Sequence, residues 1–357
     1  MANNTARLGD LATYINGYAF KPADWGDTGL PIIRIQDLTG NSYQLNRYDG
    51  EYPERIEVND GDVLISWSAS LGVYIWHRSK ALLNQHIFKV VFDKLPINKD
   101  YFVFAVEHKL AEMESKTHGA TMKHIVKKDF DGTIIPYPSI EKQAIIAEHL
   151  RRITNLIDRQ TEQLLLLDQL VKSRFIELFI GKGYPTKTVD EVSLGKGEYG
   201  AQSASIEYDS TRPRYVRITD INDDGTLNDD VVASINPDDD EQYRLEYGDF
   251  MFARMGATVG KTYAFITGNQ IFAGYLIRYK LNQKLINPRY LFWYTKLDEY
   301  WNWVKLNQSG AAQPGINAKK YGSLRIPVPP IEQQEQFAAF VEQTDKSKLC
   351  GTMEVAA

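Results

Sequence analysis

The sequence predicts an α+β chain written twice: two similar globular domains separated by long coiled-coil-forming helices, in a pseudo-twofold internal repeat. Three observations predict it. Blocks of residues recur in the same order with an offset drifting from 183 to 191. A heptad seam runs through residues 140–180. Each copy places short strand-like runs, broken by Gly, Asp and Asn, ahead of one helical run.

The repeat is the deciding feature. Ile32-Ile33-Arg34-Ile35-Gln36-Asp37-Leu38 returns as Tyr215-Val216-Arg217-Ile218-Thr219-Asp220-Ile221. Gly61-Asp62-Val63-Leu64-Ile65-Ser66 returns as Gly248-Asp249-Phe250-Met251-Phe252-Ala253. Ile97-Asn98 before Tyr101-Phe102 returns as Ile286-Asn287 before Tyr290-Leu291. Gly119-Ala120, Ile125 and Ile135-Pro136-Tyr137-Pro138-Ser139-Ile140-Glu141 return as Gly310-Ala311, Ile316 and Ile326-Pro327-Val328-Pro329-Pro330-Ile331-Glu332. The offset drift is what loop insertions in a duplicated unit produce. The shared residues are mostly scaffold and the residues between them differ, the pattern of one scaffold carrying two specificities.

In order, a first globular domain spans residues 1–138, with strand-like runs IIRIQDL, DVLISWSAS and IFKVVF and the helical run YFVFAVEHKLAEMES. The long helix at 139–182 follows. Its seam is Ile146, Leu150, Ile153, Ile157, Leu164, Leu167 and Val171, with one polar break at Gln160, an a/d stripe that requires a partner helix. Ser139 suits the N-cap and Glu141 the first turn, while Gly181, Gly183 and Pro185 stop it. About forty residues at 1.5 Å each make a rod of roughly 60 Å. The second domain, residues 186–328, carries YVRITDI, DFMFARM and YLIRYKL and the helical run YLFWYTKLDEYWNWVKL. A second helix at 330–349 shows Phe337, Phe340 and Val341 but dissolves by Cys350 into a tail, 350–357.

Length allows two or more domains with their own cores. No run of eighteen apolar residues suggests a membrane span, and MANNTARLGD has no apolar signal-peptide core, so the cytoplasm is expected. One cysteine, Cys350, excludes a disulfide framework and a cysteine-based zinc site. Net charge is −5, yet residues 219–249 hold eleven acids against Arg244, leaving +5 on the rest. Binding follows local patches rather than net charge, and the acidic stretch is expected to face away from any phosphate backbone.

Motifs that would carry catalysis fail on spacing. Gly256-Ala257-Thr258-Val259-Gly260-Lys261-Thr262 has three residues between its glycines where a phosphate loop needs four. It reads as a tight strand-to-strand turn. Phe179-Ile180-Gly181-Lys182-Gly183 resembles an S-adenosylmethionine loop but ends a long helix, so it reads as a helix stop. Pro237-Asp238 resembles a nuclease motif without its following acid-x-Lys. The six histidines show no metal spacing, and no serine or cysteine triad has local support. No catalysis and no metal are expected of this chain.

Polar loop chemistry suited to binding remains. Segment 116–128 offers Lys116, His118, Thr121, Lys123, His124 and Lys127; its counterpart 305–320 offers Gln308, Ser309, Gln313, Asn317 and Lys319. The matched turns around Trp67 and Arg254 add Ser68, Ser70, Thr258 and Lys261, and the repeated strand ends add Arg34 and Arg217. Lys and Arg hold phosphates, while Asn, Gln and Arg read base edges. Without a ligand each loop is a solvated connector, and Trp67 and Trp76 are core or rim aromatics.

The duplicated Pro-bounded helix starts, IPYPSIEKQAIIAEHL and IPVPPIEQQEQFAAFV, with the GDVLIS and GDFMFA strands, resemble the specificity subunit of type I restriction–modification systems over nearly the whole chain. The resemblance implies that the globular units are target-recognition domains reading a bipartite, asymmetric double-stranded DNA target, and that the helices pack antiparallel as spacers. It implies two methyltransferase subunits, which use S-adenosylmethionine, and restriction subunits driven by ATP with Mg; this chain itself binds no cofactor. The second helix is shorter than the first, so the expectation is either a truncated chain or completion of the bundle by another chain, such as a second copy. The rival reading is a coiled-coil assembly protein whose globular domains bind proteins. Steep salt dependence of binding marks DNA.

Overall fold

The computed structural model describes residues 5–40, 46–116, 126–235, 241–310 and 314–356. It divides into two compact units, Met1–Ile157 and Asp158–Ala357.

In the first unit the strand Thr5–Arg7 pairs antiparallel with Ile134–Pro136, so the chain's start is tied to the segment just before the long helix. A four-stranded sheet has the order Thr13–Asn16, Ile87–Val91, Val63–Ser66, Gly72–Ile75. A second sheet contains the parallel pair Leu30–Ile33 with Ala81–Leu83. The run IIRIQDL is thus a strand that ends in a helical turn, Ile35–Leu38. The helix Lys99–Lys116 packs its Phe102, Val106 and Leu110 into the core with Leu11, Tyr14 and Phe130.

The second unit repeats the terminal strand pair, the four-stranded sheet order and the parallel pair. Thr186–Thr188 pairs antiparallel with Arg325–Pro327. Its four-stranded sheet runs Glu198–Tyr199, Leu276–Lys280, Asp249–Ala253, Thr262–Ala264, and Arg214–Val216 pairs in parallel with Gln270–Phe272. Both Gly-Asp turns are built alike. Gly61 and Gly248 adopt positive φ (83° and 100°), which suits glycine. Asp62 then accepts from Asn59 N–H at 2.8 Å, and Asp249 from Glu246 N–H at 3.0 Å.

The helical run of the second copy departs from expectation by breaking into Pro288–Tyr294 and Asp298–Asn307. Between them the buried Thr295 hydroxyl pairs with Thr262 and bonds back to the Phe292 carbonyl, each at 2.7 Å. A side-chain hydroxyl competing for backbone groups is a known way to interrupt a helix.

The long helix is Ile140–Phe179. Lys142 N–H reaches Ser139 Oγ at 3.5 Å, and Glu141, hydrogen-bonded to its own backbone and to Ser139, is held below the usual carboxylate range. Gly181 and Gly183, both at φ 72°, end it, so the loop-like FIGKG is a helix stop. The expected seam is covered only in part. Val171 is buried, Leu164 and Leu167 are half-buried, and Ile146, Leu150, Ile153 and Ile157 are exposed.

The covering partner in the second unit is the helix Ile331–Ala356, so residues 350–356, expected as a tail, are helical. Phe175 meets Phe337 at 5.3 Å between ring centroids, while Asp168 receives Lys348 at 2.5 Å. The two contacts run in opposite chain directions, so this packing is antiparallel.

Candidate nucleic-acid interface

The site in the second unit grows from the end of the strand Asp249–Ala253. Arg254 N–H donates to the Tyr275 carbonyl at 3.0 Å, fixing where its side chain leaves the sheet. Its guanidinium carbon lies 4.9 Å from the ring centroid of Tyr199 and 5.8 Å from that of Tyr275. Both rings are exposed, and Arg254 itself is half-buried. Its Nε is buried and meets no hydrogen-bond acceptor among the described residues.

The amide-rich loop singled out in the sequence is latched to this place. Ile316 N–H donates to the Arg254 carbonyl and Gly256 N–H to Pro314, both at 2.9 Å. Ala318 N–H donates to Tyr199 Oη at 3.2 Å. Gln308, Ser309 and Lys319 are exposed beside it; Asn317 is exposed too, but its side chain is engaged in capping Lys320 N–H at 2.9 Å. Gln313 lies outside the described residues.

The first unit carries the matching position with other chemistry. Trp67 N–H donates to the His86 carbonyl at 3.3 Å, as Arg254 does to Tyr275. The indole stacks on Phe88 at 5.5 Å and meets the His86 ring edge-on at 5.0 Å. Lys127 Nζ sits over the Tyr14 and Phe88 rings at 5.6 and 5.8 Å and pairs with Asp131 at 2.9 Å. Ser68 is half-buried and Ser70 exposed; their carbonyls accept from Ser66 Oγ in a turn where Ala69 takes φ 61°. Lys116 ends the helix Lys99–Lys116, and His118, Thr121, Lys123 and His124 lie outside the described residues.

Three of the expected contact residues are also engaged within the fold. Arg34 and Arg217 are committed to the fold: each backbone N–H and guanidinium binds the buried carboxylate three residues on, Asp37 or Asp220. Their recurrence includes a duplicated strand-end brace. Lys261 is taken up by Asp223 at 2.8 Å and the Ile221 carbonyl at 3.2 Å. With Thr258 Oγ bonded to the Met255 carbonyl, the Gly256–Thr262 segment is the expected turn between antiparallel strands. Acids of the 219–249 stretch are matched in the same way, Asp220 with Arg217, Asp229 with Arg214 and Asp249 with Arg278. Trp76 is buried, its indole N–H on the Ser79 carbonyl at 2.9 Å.

Tyr199, Tyr275 and His86 escaped sequence reasoning. The repeat alignment holds the signal for two of them, because Tyr275 and His86 stand directly before the shared strands Leu276–Lys280 and Ile87–Val91. Among the described residues no group of three His, Cys, Asp or Glu side chains is placed to hold a metal ion, and no helix is long and apolar enough to cross a membrane.

Comparison with known proteins decides what the duplication means. The type I restriction modification DNA specificity domain matches the sequence twice, over residues 3–167 and 186–350. The chain belongs to this family. It is 26% identical to the type I restriction enzyme EcoBI specificity subunit of Escherichia coli, covering 94% of this chain and 78% of that protein. It is 24% identical to the MjaVIII specificity subunit of Methanocaldococcus jannaschii, covering 95% and 85%. The crystal structure of a type I restriction–modification S subunit from M. genitalium shares the fold, with a TM-score of 0.61 at 13% identity over 99% of this chain and 92% of that one. A chain solved in a study of type I R-M complex assembly and conformational transition gives 0.52 at 17% identity, covering 99% and 93%.

Proposed function

We propose that this chain is the DNA sequence-specificity subunit of a type I restriction–modification complex. Each globular domain reads one half of a bipartite, asymmetric double-stranded DNA target. The helices recruit two methyltransferase subunits and, through the assembled complex, the restriction subunits. Catalysis, with S-adenosylmethionine, Mg and ATP, belongs to those partners, and the chain works with them in the cytoplasm. The observation that carries this reading is the double family match on two domains that share a four-stranded sheet order and a parallel strand pair, with different side chains at the matched sheet end, Trp67 and Arg254.

The test is co-expression with its methyltransferase subunits, mass determination of the complex, and selection from a randomised DNA duplex. A complex with two methyltransferase chains per copy that enriches a two-part motif supports the reading. Replacing residues 186–328 by the second domain of a relative is then expected to change one half of the motif only. A complex without methyltransferase, or enrichment of no motif, overturns it.

A further inference from the structure

The arginines of the second domain are nearly all spoken for. Arg217 braces Asp220, Arg214 pairs with Asp229, Arg278 with Glu198 and Asp249, and Arg244 donates to Asn269. Arg254 differs. It has no carboxylate partner among the described residues, its Nε, like that of Arg214, meets no acceptor among them, and its guanidinium carbon lies over two exposed tyrosine rings. Stacking of this kind positions a guanidinium without consuming its in-plane N–H donors. A phosphate needs only a positive charge nearby. A fork whose plane is held, with donors left free, suits a planar pair of acceptors, and in a DNA groove that pair is guanine O6 and N7.

The matching position of the first domain lacks this capacity. Trp67 has a single indole donor, and His86, whose buried Nδ1 meets no hydrogen-bond partner among the described residues, replaces Tyr275. The backbone contact is the same in both domains, 3.3 and 3.0 Å, so the side chains differ on a common frame.

We propose that Arg254, held between Tyr199 and Tyr275, reads a guanine for the second domain, and that the first domain makes no such contact at its matching position. The inference rests on the specificity-subunit reading and sharpens it: a guanine at one defined step is required in one half of the target only.

The experiment is the same randomised-duplex selection, run on the chain assembled with its methyltransferase subunits, for the wild type, Arg254→Lys and Arg254→Ala. The lysine variant keeps the charge and the stem but loses the fork, and the unfolding midpoint of each complex reports whether it is folded. The wild type is expected to enrich a motif with an obligatory guanine in one half. Arg254→Ala is expected to lose discrimination at that base pair alone by roughly 5- to 150-fold and Arg254→Lys to lose part of it, while the other half is read as before. Uniform weakening over all sequences, with a salt slope shallower by about one, would make Arg254 a phosphate contact and overturn the proposal. An unchanged motif in Arg254→Ala, or in Arg254→Gln where the alanine variant fails to fold, overturns it too. In both cases the specificity-subunit reading stands; a wild type that enriches no motif removes both.

Discussion

The side-chain carbonyl of Gln334 accepts the backbone N–H of Asn287 at 2.9 Å, and its amide donates to the carbonyls of Leu285 and Pro329 at 3.0 and 2.8 Å. The first copy makes the same tie, Gln143 accepting from Asn98 N–H at 2.9 Å and donating to Pro138 at 2.9 Å. Both glutamines are buried in the fourth residue of a Pro-bounded helix. Each clamps the helix start to the loop that begins its domain's helical run. The duplication therefore extends to a buried polar junction, where every donor and acceptor must be satisfied.

Gln334→Ala is expected to lower stability by about 2–3 kcal/mol, because it leaves the Asn287 N–H and two carbonyls without partners in a dry site. Gln334→Glu keeps an acceptor, loses both donors and buries a charge, so it is expected to cost at least as much. Chemical denaturation midpoints of the full chain measure both, and a neutral Gln334→Ala would show that water replaces the side chain.

Arg217→Ala is expected to cost about 1–3 kcal/mol and to leave base preference unaltered. The variant strips Asp220, 2% exposed, of the guanidinium bonds at 2.9–3.1 Å that offset its burial. Thermal unfolding alongside motif selection checks this; a changed motif in a fully stable protein would return Arg217 to the DNA.

Lys296 gives a pH prediction. Burial pushes its pKa down to about 8 from 10.5, with its ammonium on the Asp223 carbonyl at 2.6 Å and over the Phe292 ring at 4.4 Å. The unfolded chain therefore binds this proton more tightly than the folded one. Stability from this group rises as pH climbs from about 8 to 10.5, and at pH 7 the buried charge costs up to about 3 kcal/mol. Lys296→Met is expected to be more stable than the wild type at pH 7, with most of the gap gone by pH 10. Paired denaturation curves at the two pH values settle the sign, and a gap independent of pH would contradict the shift.

Much of the architecture was legible because scaffold residues recur where backbone geometry demands them. Gly61 and Gly248 sit at positive φ, and the Pro-bounded helix starts lie beside the strands that close each domain. At Arg34 and Arg217 the brace on a buried aspartate was not legible, since a repeated arginine looks alike whether it braces a carboxylate or meets a ligand. The Arg254 neighbourhood could be marked from its mismatch with Trp67. Tyr199 could not, because the register that aligns it with Ile277 is a long-range strand pairing with no local signature. The split of the second helical run stayed hidden for a related reason: the Thr262–Thr295 bond is tertiary.

The heptad seam supplies the last prediction, a contrast along one helix. Phe175 is fully buried, with Phe179, Tyr290 and Phe337 at 5.0, 5.1 and 5.3 Å. Phe175→Ala is expected to cost about 3–5 kcal/mol in the Asp158–Ala357 unit, from lost transfer energy and the cavity left behind. Ile153, 51% exposed on the same helix, is expected to lose no more than about 0.5 kcal/mol on substitution by Ala, since little apolar surface leaves water there. Unfolding midpoints of the two variants, measured across a range of protein concentrations, check the contrast. A cost at Ile153 that matched Phe175 and grew with concentration would mean that another copy of the chain covers this part of the seam in solution, as the expected need for a completing helix would have it. Independence from concentration, with only Phe175 costly, confines the buried seam to the part that the Ile331–Ala356 helix covers.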